Sequence, residues 1–256
     1  MNAQVNHSGR LWICLLIMCL ILFAYQANDQ YQLVVAANRD EFYQREAARA
    51  HFWETNKEVL AGRDLQAGGS WLGVDRSNRF AAVTNFREDL SGPLPPRSRG
   101  ELVSDFLSLK HSASEYLNQI RTKRLEYRGF NLILMDKTGC FYYNNRTDQL
   151  NELAPGYYGL SNQTLDCNWP KVSEGTRKLQ QLLNEKPSSE LDTAMLGLLQ
   201  DRGDDRDFSN SFIASPGYGT CVSTLVKIQR HEVSFMELAY PPTGRPDDQR
   251  SFIWQS

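Results

Sequence analysis

The chain reads as an α+β protein built as a four-layer α/β/β/α sandwich, with two mainly antiparallel sheets between helical layers. Three observations predict this. β-rich apolar runs fall into three blocks, at the start, middle and end of the chain. Two pairs of helical stretches separate those blocks, and each pair is placed to cover one outer face of two stacked sheets. No internal repeat and no domain-scale linker breaks the order, and 41% hydrophobic residues suffice for one full core.

The elements follow in order. Cys19 to Tyr25 is continuously apolar, and Gln26 to Gln30 is a polar turn. Tyr31 to Ala37 is apolar and β-rich, so it pairs back as a hairpin. It runs into Asn38-Arg39-Asp40-Glu41, a dense polar cluster at the expected strand end. A mixed segment without clear periodicity extends to Gly62. Gly68 to Val74 and Arg79 to Asn85 read as strands, with Asp75 to Asn78 as the turn between them. Arg87 to Pro96 is rich in Pro, Gly and charge, and reads as a surface loop. Ser98-Arg99-Gly100-Glu101 has capping-box spacing and predicts a helix through Leu109. Ser112 to Lys123 is a second helix. Phe130 to Met135 and Cys140 to Tyr143 form a hairpin across Asp136-Lys137-Thr138-Gly139. Tyr157 to Leu160 is a short strand, Pro170 to Asn184 and Ser189 to Gln200 are helices, and strands near 220–228 and 233–238 finish the chain.

Composition excludes several classes of function. A formal net charge of -2 gives no nucleic-acid footprint. The five cysteines, an odd number without a C-x-x-C spacing, do not read as a disulfide scaffold. The four histidines are scattered, so no zinc site is expected.

Leu11 to Tyr25 is a nearly unbroken apolar run behind Arg10. Composition alone favours a signal or anchor here. The run is short for a spanning helix, which needs roughly 20 residues. The second reading takes Met18-Cys19 as the true start, with residues 1–17 a spurious or leader extension and 18–256 a single domain. Cys19 to Tyr25 is then a buried strand. Periodicity does not separate the two, because both are continuously apolar.

Several segments in order decide between them by resemblance. They are Met18-Cys19, Ala36-Ala37-Asn38-Arg39-Asp40-Glu41-Phe42, Gly68-Gly69-Ser70-Trp71-Leu72-Gly73, Thr84-Asn85, and Ser98-Arg99-Gly100-Glu101-Leu102-Val103. Gly129-Phe130-Asn131-Leu132, Gly159-Leu160-Ser161-Asn162, Trp169-Pro170-Lys171 and Pro216-Gly217-Tyr218-Gly219-Thr220 continue the series. Each is short; the ordered set resembles the NRDE family, also called the transport and Golgi organization protein 2 family. Family members usually begin Met-Cys, which implies that Met18 is the start. The family in turn resembles cysteine-type N-terminal-nucleophile hydrolases such as penicillin V acylase and bile salt hydrolase, which implies the same sandwich. One departure stands out. The family usually carries Arg after Tyr-Gly-Thr, where this chain has Cys221.

A cysteine at a free N-terminus carries its own base. The thiolate is the nucleophile, with an ordinary thiol pKa of about 8.5. The α-amine, at roughly 7.7–8.0, takes protons near neutral pH. The resemblance therefore implies attack by Cys19 Sγ on an amide carbonyl. Asp40 would orient the amine, Arg39 would favour the thiolate, and Asn85 and Asn162 would form the oxyanion hole. On a regular strand Arg39 and Asp40 face opposite sides, so both reach one site only where the strand ends or bends. Asn38, Trp71 and Tyr218 are the substrate-binding candidates. Each residue also has a plain structural reading: a buried cysteine as apolar filler, Arg39 with Asp40 and Glu41 as an ion-pair network, tryptophans as packing anchors. The expected function is amide hydrolysis on a small amide or N-acyl compound, with no cofactor required, in the cytoplasm. The alternative is a non-catalytic carrier for haem or an acyl ligand, as relatives are associated with haem trafficking; no C-x-x-C-H attachment motif is present. A membrane or export role enters only if residues 1–25 are a real anchor or signal.

Overall fold

The computed structural model of the protein describes residues 19–89 and 92–255. The reading of residues 1–17 as a leader or extension lies outside them. The element order is β1 (Leu20–Tyr25), β2 (Leu33–Phe42), β3 (Ala47–Trp53), β4 (Asn56–Asp64), β5 (Leu72–Asp75) and β6 (Phe80–Asn85), then helices α1 (Gly100–Ser108) and α2 (Ala113–Thr122). A 3-10 turn at Arg124–Glu126 leads to β7 (Phe130–Asp136), β8 (Gly139–Asn144), β9 (Gln149–Glu152) and β10 (Gly156–Leu160). Helices α3 (Pro170–Glu185) and α4 (Ser188–Leu199) follow, then β11 (Ala214–Ser215), β12 (Tyr218–Ile228), β13 (Glu232–Ala239) and β14 (Gln249–Gln255).

One sheet runs β10-β1-β2-β12-β13-β14, with β11 on β12; the other runs β3 through β9 in chain order. All their pairings are antiparallel. Three apolar layers show how they stack. Ile21, Phe23, Val35, Leu72, Phe80, Ile133, Val226 and Phe235 fill the space between the sheets. Leu102, Phe106, Tyr116 and Leu117 of α1 and α2 cover Leu132 and Leu134 on one outer face. Val172, Leu179, Leu191 and Met195 of α3 and α4 cover Leu20, Leu22, Val34 and Ala36 on the other. The four-layer sandwich expected from the element order is the fold observed.

That stacking explains the apolar run at the chain's start. Strand β1 lies between β10 and β2, with odd residues in the inter-sheet core and even residues under helices. A strand covered on both faces has no solvated side to alternate with. Burying Phe23 alone contributes about 1.5–3 kcal/mol. Among the described residues, no helix is long and apolar enough to cross a membrane.

Five strands were not expected, among them the two-residue β11 paired to β12. The mixed segment before Gly62 is the hairpin β3–β4, whose register shifts twice and so destroys any simple alternation. Strands β9 and β14 are sheet edges with largely exposed, polar residues. Strand β2 runs on through the polar cluster to Phe42 instead of ending before it. The first helix starts one residue later than the Ser98 cap predicts. The Glu101 carboxylate accepts from the Ser98 N–H, but Ser98 Oγ accepts from the Gly100 N–H. The full capping box sits at Ser112 and Glu115, opening α2.

Candidate active site

The site assembles where β1 begins. Continuing the Leu20–Asn38 register places Cys19 beside Arg39. The Cys19 carbonyl accepts a 2.6 Å hydrogen bond from Ser161 Oγ at the end of β10, and its Sγ lies 3.7 Å from the Asp40 carbonyl oxygen. Ser161 is itself tied to the second sheet, because its carbonyl accepts from Thr84 Oγ1 at 2.7 Å. Asn162 adds a second tie, donating to the Asn85 carbonyl at 2.8 Å. Cys19 is thus held by three strands and both sheets.

Across β2 the side chains part. Arg39 points between the sheets, 8% exposed, with its guanidinium 4.6 Å above the Trp71 ring and 3.5 Å from Glu41. Asp40 points to the helical side, 1% exposed, and accepts from Thr220 Oγ1 at 2.6 Å. Strand β12 makes that bond reachable through a bulge. Arg39 pairs with Val222 and Asp40 with Thr220, so Cys221 is the extra residue. The bulge takes up that residue, so Thr220 keeps the same face as Asp40. Cys221 Sγ contacts the Glu41 carbonyl at 3.7 Å.

Burial, helped by the Asp40 charge, pushes the Cys19 thiol up to about 12; Arg39 pulls the other way. Burial likewise pushes Asp40 up to about 7, against Lys171 and the Thr220 hydrogen bond. Burial holds the Lys171 ammonium below its usual value, opposed by Asp40 and Cys19. Asp40 Oδ2 is buried with no hydrogen-bond partner.

A cavity of about 230 Å³ opens beside Cys19, walled by Arg39, Glu41, Arg45, Trp71, Asn85 and Arg99, with Asp40 and Ser98 also at its edge. A small apolar niche of about 20 Å³ continues behind Cys19 toward Ile21, Ala37, Leu72 and Thr224.

The comparisons fit this arrangement. The sequence model of the family described as Transport and Golgi organisation 2 matches residues 18–241. The chain belongs to the Transport and Golgi organisation 2 family. The bovine Transport and Golgi organization protein 2 homolog is 32% identical over 93% of this chain and the whole of its own length. The mouse homolog is 35% identical over 71% of this chain and 70% of its own. Among solved structures, a Caenorhabditis elegans N-acylethanolamine-hydrolyzing acid amidase ortholog superposes with a TM-score of 0.51 at 12% identity, covering 81% of this chain and 92% of that one. At that identity the likeness shows the fold. This chain therefore shares the four-layer sandwich fold of that amidase ortholog.

Within this family member the expected residues sort into three groups. Cys19, Arg39, Trp71 and Asn85 line the cavity. Asp40 reaches Cys19 from the opposite face of β2, through its backbone carbonyl and its charge. Asn38, Asn162 and Tyr218 are occupied elsewhere. The two N–H donors of Asn38 go to the Leu199 and Ser211 carbonyls, and its Oδ1 accepts from Ser223. Asn162 has one donor spent on Asn85, whereas Asn85 makes no side-chain hydrogen bond among the described residues. Tyr218 is buried against Phe42. Sequence reasoning gave no role to Lys171, Ser161 or Thr84; the Arg97-Ser98-Arg99 cluster reads there as solvated or, near a helix N-terminus, as an anion site. Lys171, Ser161, Thr84 and Arg99 all lie inside the matched motifs, which was the available signal.

Proposed function

We propose that this protein is a cysteine amidohydrolase acting on a small amide or N-acyl compound, with Cys19 as the first residue of the working chain. The observation that carries the reading is Asp40 Oδ2, a buried carboxyl oxygen with no partner, on a residue that already contacts Cys19. A buried oxygen of this kind is costly unless a donor meets it. The α-amine of an N-terminal Cys19 is such a donor, and its positive form draws the carboxyl back toward the ionised state. The match beginning at Met18 supports the same start.

In the proposed reaction Sγ attacks the amide carbonyl carbon as its proton passes to the α-amine. Asn85 stabilises the oxyanion, its amide unspent and its side chain at the cavity wall. The C–N bond breaks, the α-ammonium protonates the leaving amine, and a thioester remains. Water then adds to the thioester with the α-amine as base, and the C–S bond breaks to release the acid. Lys171, facing Asp40 and Cys19 from α3, holds the negative charge of the site.

The second reading is a carrier for haem or an acyl ligand in the same cavity. What favours it is that the sequence relatives are named for transport and Golgi organization. The two readings part on Cys19→Ala. A panel of N-acyl amino acids and N-acyl amines is offered to protein whose first residue is verified by intact mass. Hydrolysis lost at least a thousandfold in Cys19→Ala is the expected result. Full turnover by Cys19→Ala removes Cys19 as the nucleophile; no turnover by the Cys19-initiated protein on any member moves the function to ligand carriage.

A further inference from the structure

The cavity beside Cys19 holds three guanidinium groups, from Arg39, Arg45 and Arg99. Two carboxylates in its wall are already matched to the first two. Glu41 lies 3.5 Å from Arg39 and 3.7 Å from Arg45, and Asp64 lies 2.7 Å from Arg45. Asp64 also accepts from the Gln66 and Ala67 N–H groups. Asp40 faces Lys171 and Thr220 on the far side of β2. Arg99 is left over. Its hydrogen bond goes to the Gly129 carbonyl at 3.2 Å, and among the described residues no carboxylate stands within ion-pair distance of it. Burial, helped by the Arg128 charge, lowers this guanidinium to about 10, against the charges of Glu88, Cys19 and Glu41.

Backbone packing fixes where Arg99 stands. A Cβ on Gly69 would lie 2.3 Å from the Gly100 carbonyl carbon, so this close crossing requires glycine. The Ser70 N–H donates to the Gly100 carbonyl at 3.1 Å, locking the start of α1 against the wall that carries Trp71. An arginine held at a cavity wall without a counter-charge is costly, unless a ligand supplies one. One spare guanidinium matches one negative charge, and its planar fork fits a carboxylate with two parallel hydrogen bonds.

We propose that Arg99 is a specificity-determining residue that binds the carboxylate of a small N-acyl amino acid whose amide carbonyl lies at Cys19 Sγ. The position of the carbonyl rests on the hydrolase reading; the carboxylate subsite stands with or without turnover. The pocket thus selects acids over neutral N-acyl amines of the same size.

Two matched pairs of small molecules test it on the full protein. Iodoacetate and iodoacetamide differ only in charge. Each forms a bond between Sγ and its methylene carbon as iodide leaves, and both draw on the same thiolate, so their rate ratio is independent of thiol pKa. The ratio is read at Cys19 by peptide mass spectrometry, against a free cysteine peptide. A ratio favouring iodoacetate at least tenfold over the peptide's, falling to the peptide's value in Arg99→Gln, is expected. A ratio equal to the peptide's, unmoved by Arg99→Gln, overturns the proposal.

Should Cys19 resist both reagents, N-acetylglycine and N-acetylglycinamide give the equilibrium version through the unfolding midpoint. The acid alone raises the midpoint, and Arg99→Gln abolishes that rise; equal shifts, or none, refute the subsite. Circular dichroism confirms that the variant is folded, and Arg99→Lys, which keeps the charge but loses the fork, retains part of the preference. Charge preference without hydrolysis of N-acetylglycine defeats the hydrolase reading alone. Equal hydrolysis of N-acetylglycine and N-acetylethanolamine defeats the subsite alone.

Discussion

At the scale of single residues the site is built from groups held away from their usual protonation. Asp40 is the clearest case, because burial raises its carboxyl from 3.8 to about 7. A carboxyl whose folded value exceeds its unfolded one binds its proton more tightly in the folded state. Its contribution to stability is then complete below the unfolded value and is lost as pH rises through the folded one. Unfolding midpoints measured between pH 4 and 7 on the chain as it stands should therefore decline with pH at this position. Asp40→Asn should flatten that decline. An unchanged slope would mean that Asp40 is ionised throughout, with Lys171 as its paired cation. Freeing the Cys19 amine should do part of the same, since an ammonium beside Oδ2 favours the carboxylate. Cys19 itself shows the same logic. Inside a longer chain burial pushes its thiol up to about 12, so little thiolate forms near neutral pH. A nearby base is what makes it useful, and only an N-terminal cysteine brings its own.

At the scale of elements, two backbone irregularities aim the side chains. The bulge at Cys221 lets Thr220 face Asp40 while Val222 pairs with Arg39. Deleting Cys221 would restore even pairing and leave Thr220 opposite Asp40 and on its face, so the 2.6 Å bond should survive the deletion. The second irregularity is the crossing of Gly69 over Gly100. Gly69→Ala places a Cβ 2.3 Å from a backbone carbon that does not give way. We expect a loss of about 1–3 kcal/mol in stability by urea unfolding, with α1 displaced and iodoacetate selectivity weakened. A Gly69→Ala protein as stable as the parent would show that the crossing is loose. Gly68, at φ +79°, supplies the tight turn just before it.

At the scale of the whole molecule the two sheets are joined by polar ties as well as by the core between them. Arg49 on β3 meets Glu237 on β13 at 2.7 Å, and the same carboxylate accepts from the Ala50 N–H at 2.9 Å. Glu237 is 1% exposed. Glu237→Ala leaves the Ala50 N–H unpaired while Arg49 keeps Asp248 at 3.2 Å, and should cost about 1–3 kcal/mol. Urea midpoints of the parent and the variant read the loss. At the other end of the sandwich, Thr84–Ser161 and Asn162–Asn85 join the sheets directly around Cys19. Cys19 therefore sits at a seam, which is where a cavity between layers can open.

Much of this was legible in the chain. Continuous apolar runs, alternating runs and helical pairs named most elements, because each reports a face covered or a face wet. The motifs around Cys19, Asn38 to Phe42, Gly68 to Gly73 and Ser98 to Gly100 fall on the cavity's walls, and Ser161-Asn162 hold Cys19 and Asn85 from behind. Edge strands β9 and β14 and the irregular hairpin β3–β4 carried no periodic signal, so they stayed hidden. Residue roles needed the fold. Asn38 and Asn162 look as reactive on paper as Asn85, but carbonyls from distant helices and strands occupy them. Arg99 and Arg97 read alike on paper, as a solvated pair or an anion site, until the Gly69 crossing carries Arg99 to the cavity while Arg97 turns to Glu101 and Asp105. Local periodicity is a property of neighbours along the chain and can be read there. Which polar atoms remain unspent depends on partners a hundred or more residues away, and only packing settles that account.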